Sequence, residues 1–358
     1  MQGKLDKLVV EQGKGVVNVS RYTGRDLLGA VPGASTRLGV WLGLTPASNR
    51  VEKALLTLGF EAPKDATPPF RVKFMVDRSG IARELKPQLS VELEDTIYYK
   101  VAYDVKPLLA DKLGRWHLHK ALFYYDMMSP LIIRDLSLVV VYNVENVDAR
   151  YSFSMLTGGR TLEPGEVTVE YPPFYDYMGG QREASLIIHS PSTEAEFEVV
   201  VAGSSPRRIT GFESTVLTMS FDYRGSLIPV SVRYLEGKRR YYPRKAVITD
   251  LYLLEQLVPK SSLSVSIDHT EFSGGKIKVS ISIFNNGEST INNIIVSLMG
   301  LGARLARKKI GTLKPGETRN VTFEADLSRM PVRPSRLIVL ASGTALGRRV
   351  EATGEINF

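Results

Sequence analysis

Along KIKVSISIF, residues 276–284, every second side chain is a branched aliphatic. Ile277, Val279, Ile281 and Ile283 alternate with Lys and Ser. Only an extended strand, whose side chains point to opposite faces in turn, gathers such a pattern onto one apolar face. The same alternation runs through SLSVSID (Leu263, Val265, Ile267), through Val321, Phe323 and Ala325, and through VKFMV (Val72, Phe74, Val76). Short apolar runs also recur at 15–20, 37–44, 51–60 and 96–105. They are rich in β-branched and aromatic residues and are bounded by turn residues. LSLVVVYNV, 136–144, is apolar at both odd and even positions apart from Ser137 and Asn143, and reads as a central strand covered on both sides. At 358 residues the chain can enclose two or three hydrophobic cores.

Helical patterning is scarce. Residues 105–113 predict a short helix carrying Leu108, Leu109 and Leu113, and Asp250 is expected to cap a second that runs through Leu257 before Pro259 stops it. Both are shorter than the crossover helices of a repeated βαβ protein. The expected class is therefore all-β: a jelly-roll-like β-sandwich region over 8–258, followed by an immunoglobulin-like β-sandwich over 262–358. The first region is one sandwich or two packed ones, with a break expected within 125–180, where DMMSP, GGR, EPGE and YPPFYDYMGG cluster. Asn285–Asn286–Gly287 and Pro315–Gly316 supply turns in the second region. TLEPGE at 161–166 recurs as TLKPGE at 312–317, so one turn solution is expected twice.

The run VSISIFNNGESTINNIIVSLMG, followed by IGTLKPGETRNVTFEA, resembles the CARDB-type, cell-adhesion-related sandwich modules of bacteria and archaea. That resemblance covers roughly a quarter of the chain. It implies envelope display, spacing of other domains, or contact with proteins and glycans, and it brings no catalytic residue. VEKALLTLGF, VAYDVKPLL and DLSLVVVYNV resemble, more distantly, jelly-roll domains of archaeal surface proteins.

No residue pattern announces a reaction centre or a cofactor. Cysteine is absent, which excludes disulfides, thiolate nucleophiles and cysteine metal sites. Avoidance of this thermolabile residue together with many arginines suits a hot environment. His117 and His119 share a face if they lie on a strand, but a metal or acid–base role needs further ligands or a positioned carboxylate, which the nearby Asp126 does not supply from sequence alone, and they read as polar strand positions. GRDLLGAVPG at 24–33 lacks the Lys–Ser/Thr of a phosphate loop, and GSSPRR at 203–208 lacks a nucleophile elbow. A glycosidase would need two carboxylates at controlled separation across a cleft, which spacing in sequence does not establish. Asn18 and Asn320 begin glycosylation sequons.

The aromatic segments are the binding candidates: FYYD with Tyr124 and Tyr125, EYPPFYDYMGG with Tyr171, Phe174, Tyr175 and Tyr177, and RRYYPRK with Arg239, Arg240, Tyr241, Tyr242 and Arg244. Tyrosine rings stack on apolar faces while their hydroxyls stay wet, and arginines hold acidic groups directionally. Lys plus Arg is 46 against 38 Asp plus Glu, a charge of +8, and no basic run interleaved with aromatics marks a nucleic-acid site. No stretch has the length of a membrane span. Charges at Lys4, Asp6 and Lys7 break any signal-peptide core. The location is cytoplasmic if Met1 is the native start, and extracellular or in the envelope if a leader was removed. The leading expectation is a noncatalytic structural or protein-interaction component of an archaeal envelope or extracellular assembly, with a protein partner or self-assembly. The alternatives are a carbohydrate-binding accessory protein and a glycoside-processing enzyme.

Overall fold

The computed structural model describes residues 5–28, 36–46, 51–66, 70–76, 83–85, 88–93, 95–109, 116–125, 130–143, 147–235, 245–328 and 334–357. These residues are almost entirely antiparallel β-strand, arranged in open sheets stacked as sandwiches, with no closed barrel. The chain divides into two compact units, Met1–Val258 and Pro259–Phe358.

In the first unit a seven-stranded sheet runs in the order Leu5–Lys14, Arg150–Leu162, Ala246–Leu257, Gln181–Val201, Val230–Leu235 and Val167–Glu170, with Arg207–Phe221 also paired to Gln181–Val201. A five-stranded sheet runs Val16–Leu28, Leu131–Tyr142, Val51–Pro63, Thr96–Asp104 and Leu89–Glu92. Thr36–Pro46, Trp116–Tyr125, Phe70–Val76 and Arg83–Leu85 make a third, four-stranded sheet. Val17, Val139 and Val141 from the five-stranded sheet pack against Phe153, Met155 and Tyr252 from the seven-stranded one. Each of these two sheets also has a core on its other face, around Leu56, Leu138 and Phe60 in one case and Leu186, Leu253 and Phe197 in the other. Burial on both faces explains the uninterrupted apolar runs of their central strands.

The same effect accounts for one correction. Residues 250–257 are not a helix capped by Asp250; they lie in the strand Ala246–Leu257, buried at every position but the last. A run apolar at both odd and even positions has no period to separate a covered strand from a buried helix. Of the helix expected over 105–113, the described residues contain the helical turn Lys106–Leu109, with Leu108 and Leu109 buried and Asp104 Oδ1 accepting the Lys106 N–H at 2.9 Å, and Leu113 lies outside them. The 21-residue strand Gln181–Val201 changes partner where its register breaks between Ser190 and Ala195. Pro191 lies in that break and cannot donate to a ladder.

The second unit is a sandwich of three strands (Leu263–Ser273, Lys276–Asn285, Thr318–Asp326) and four (Ala303–Leu313, Ile291–Gly300, Arg336–Ala345, Arg348–Asn357). Ile277, Val279, Ile281, Ile283 and Phe323 face Val296, Leu298, Val339 and Ala341 in one core. Val321, also expected in that core, is half-buried on an edge strand.

The repeated hexamer folds the same way twice. Glu166 N–H donates to Glu163 O at 2.9 Å and Glu317 N–H to Lys314 O at 3.0 Å, with Gly165 and Gly316 at φ of 86° and 77°. Pro followed by a positive-φ glycine is the type II turn. In each, the closing glutamate carboxylate also accepts the first residue's N–H, at 2.9 and 2.8 Å.

Candidate functional site

The segment EYPPFYDYMGG follows the short strand Val167–Glu170, which lies at one edge of the seven-stranded sheet. Two prolines fix its extended start, and Pro173 bridges to Leu227. Its path is then set by one buried ion pair. Glu255 Oε2 accepts Arg182 Nε–H at 2.9 Å, and both side chains are almost fully buried. Glu255 Oε1 accepts the backbone N–H groups of Met178 and Gly180 at 2.8 and 3.0 Å. The remaining guanidinium donors reach the carbonyls of Tyr223, Gly225 and Tyr175 at 2.7, 2.8 and 3.2 Å. A buried pair is tolerated when its spare lone pairs and protons are occupied, and here the backbone of two loops occupies them.

The guanidinium also carries the rings. Arg182 lies 5.2 Å from the Phe174 ring centroid and 5.0 Å from that of Tyr177, and Arg224 lies 5.4 Å from Tyr177. Tyr171 (55% exposed), Tyr177 (38%), Tyr223 (38%) and Leu227 (57%) remain open to solvent. With Val167 and Val169 they make up six of the seven exposed large apolar residues described in the first unit, Leu257 being the seventh. Exposed apolar side chains gathered in one region, rather than scattered singly, mark a contact surface.

The expected site residues separate accordingly. Tyr171 and Tyr177 are on this surface. Phe174 is not: only 7% exposed, it is a buried support under Arg182. Tyr175 is half-buried, with its hydroxyl directed to Val10 O at 3.5 Å. Tyr124 and Tyr125 lie on the strand Trp116–Tyr125, whose side chains are outside the described residues, as are those of His117 and His119. Arg239, Arg240, Tyr241, Tyr242 and Arg244 also lie outside them. Sequence reasoning missed Arg182, Glu255, Tyr223 and Arg224. The available signal was a charge inside an apolar run, in REASLII and LYLLEQL, since a charge buried in a sheet must find a partner.

A second polar cluster lies inside the first unit. Lys100 Nζ donates to Asp135 Oδ1 at 2.5 Å and to Asp250 Oδ2 at 2.6 Å, with all three side chains buried. Tyr98 OH donates to Asp135 Oδ2 at 2.6 Å, and Thr157 Oγ1 to Asp250 Oδ1 at 2.5 Å. Burial pushes the Asp250 carboxyl above the ordinary carboxylate range, against the pull of Lys100. Burial disfavours the Lys100 ammonium, but the two carboxylates outweigh it and its pKa ends above the usual lysine value. Beside this cluster His189 Nε2 contacts Glu61 Oε1, its ring is stacked 5.6 Å from that of Tyr98, and its Nδ1 meets Ser214 Oγ at 3.3 Å. Burial raises the Glu61 pKa, yet His189 and the Arg134 guanidinium, 2.7 Å away, bring it down to about 2.

An open groove of about 420 Å³ is lined in part by Glu11, Glu52 and Asp104. Glu11 is held by Lys53 and the Tyr151 hydroxyl, and Glu52 by Asn143. Among the described residues no three His, Asp or Glu side chains gather as a metal site, and no helix is long and apolar enough to cross a membrane.

No family model and no curated protein matches the chain. Among solved structures, the β-glucuronidase from Ruminococcus gnavus in complex with N1-substituted uronic isofagomine aligns at 12% identity and a TM-score of 0.22, over 59% of this chain and 36% of that one. A GH2 β-galacturonidase from Eisenbergiella tayi bound to glycerol aligns at 13% identity and a TM-score of 0.22, over 57% and 35%. The alignments thus span about a third of those proteins, and the likeness to glycosidases is weak and partial.

Proposed function

We propose that the chain is a noncatalytic, carbohydrate-binding accessory protein whose ligand lies on the surface formed by Tyr171, Tyr177 and Tyr223. The observation that carries this reading is the mounting of the rings. The Arg182 and Arg224 guanidiniums lie 5.0 and 5.4 Å from the Tyr177 ring centroid, while the Arg182–Glu255 pair fixes the backbone on both sides of it, at Tyr175 O and at the Met178 and Gly180 N–H groups. A pyranose presents an apolar C–H face and a rim of hydroxyls. Exposed tyrosine faces beside the Arg224 guanidinium offer the matching combination of apolar area and donors. Rings already held in place lose little entropy when a ligand arrives.

A specific observation favours a second reading, contact with a protein partner or another copy. Val167 and Val169 are exposed on one face of an edge strand, a template for strand addition. One experiment separates the two: a glycan array carrying neutral and uronic oligosaccharides, followed by calorimetry on the best ligand. Tyr171→Ala and Tyr177→Ala are each expected to weaken binding by about tenfold or more, about 1.4 kcal/mol. Tyr171→Ala should leave the unfolding midpoint unchanged. An array without binding, alongside self-association that Val169→Lys abolishes, would reject the glycan reading in favour of the strand edge.

A further inference from the structure

Lys100, Asp135 and Asp250 are brought together by three strands that the sequence holds apart, and each of the two aspartates follows a local irregularity in its ladder. Lys100 and Asp135 lie on strands flanking Val51–Pro63, and both pair with Gly59. A Cβ on Gly59 would stand 1.9 Å from the Tyr98 hydroxyl and 2.3 Å from Asp135 Oδ2, so the bare glycine is what leaves room for the cluster. Asp135 follows a register shift at Arg134, and Asp250 follows one at Thr249. Such irregularities in a ladder re-aim side chains. The result is an amine in contact with two carboxyl groups, one from each of two stacked sheets, all closed to solvent.

We propose that Lys100 and Asp250 join spontaneously through a side-chain amide bond, with Asp135 as the proton-transfer group. In water an ammonium and a carboxylate stay an ion pair because both are solvated and water is in excess. Here neither is solvated, and the amine is fixed against the carboxyl carbon at high effective concentration. Burial favours the protonated form of Asp250, which is the form that can lose hydroxide as water. Asp135 takes one proton from the Lys100 ammonium. The freed lone pair forms the Nζ–Cγ bond to Asp250. Asp135 then returns that proton to the departing Asp250 hydroxyl while the nitrogen's second surplus proton passes back to it. The Cγ–O bond breaks, one water leaves, charge balances, and nothing is oxidised or reduced. The bond would tie the five-stranded to the seven-stranded sheet across 150 residues of chain, a covalent staple in a protein without cysteine.

Intact-mass spectrometry of the full chain is the test. The folded protein is expected to be one water lighter than its sequence mass, and its digest to contain a branched peptide joining Lys100 to Asp250. Chain recovered from inclusion bodies in denaturant, and so never folded, should show the full mass and lose the water only on refolding. Lys100→Met and Asp250→Ala should retain the full mass. Asp135→Asn, folded by circular dichroism, should form the bond roughly a hundredfold more slowly or worse, because the amide accepts no proton. A folded wild-type chain that keeps its full mass after prolonged warm incubation overturns the proposal. So does a water loss mapped to any other pair, Lys100 with Asp135 included. Because the wild-type result decides, a variant that fails to fold does not rescue the idea.

Discussion

Glu61 shows how much a single buried side chain can disclose about conditions. Its carboxylate is charged, buried and held by His189 and Arg134, and its pKa in the folded chain, about 2, lies below the ordinary value of 4.5. Because folding depresses this pKa, the stabilisation is present above about pH 4.5 and is lost as pH falls towards 2. It amounts to something on the order of 3 kcal/mol. Urea unfolding of the wild type and of Glu61→Gln should therefore differ most near neutrality and converge in acid. A gap between them that stays constant from pH 7 to pH 2 would refute this account. None of these partners is legible from sequence. Glu61 stands 128 residues from His189, and Lys100 stands 150 from Asp250. Each charge sits inside an apolar run, which reveals that a partner must exist without saying which. The same limit made Asp250 read as a helix cap, a role short polar residues often take where a local partner is assumed.

At the scale of elements, the period-two strands were the most legible. Ile277, Val279, Ile281 and Ile283 form the core they imply because one face of their sheet is covered and the other wet. The two Pro–Gly hexamers also follow from residue chemistry alone, since a proline followed by a glycine at positive φ leaves few turns to choose from. Asn285 was legible only as a turn former. In fact it is buried, its side-chain amide donating to Ser289 O and Leu313 O at 2.9 and 3.0 Å, while its backbone carbonyl accepts Gly316 N–H at 2.9 Å. This one residue, through its side-chain amide and its backbone carbonyl, ties the NNG turn to the KPG turn, giving the motif pair a physical reason to occur together. In the same sandwich Phe323 is 1% exposed and directly opposite Val279. Phe323→Ala should cost about 3–5 kcal/mol, combining lost contacts with a cavity. The check is the denaturant midpoint of the transition reported by the second unit. A loss below about 1 kcal/mol would mean that the core collapses around the gap.

For the whole molecule, the sequence revealed the class of fold better than the work it does. Alternation and turn chemistry are local, so an all-β sandwich architecture follows from them. A surface, by contrast, is assembled from segments that meet only after folding. Tyr171 and Tyr177 were identifiable because they share one loop, whereas Tyr223 and Arg224 come from another and are joined to it through Arg182. The central claim is that this mounted set of rings is where a glycan binds. Hydrogen–deuterium exchange of the full chain, with and without a bound oligosaccharide, tests it most directly. The account predicts that protection is gained in 171–180 and 222–227, and that Tyr177→Ala removes it. Protection confined to the groove around Glu11, Glu52 and Asp104, or spread equally over both units, would contradict it.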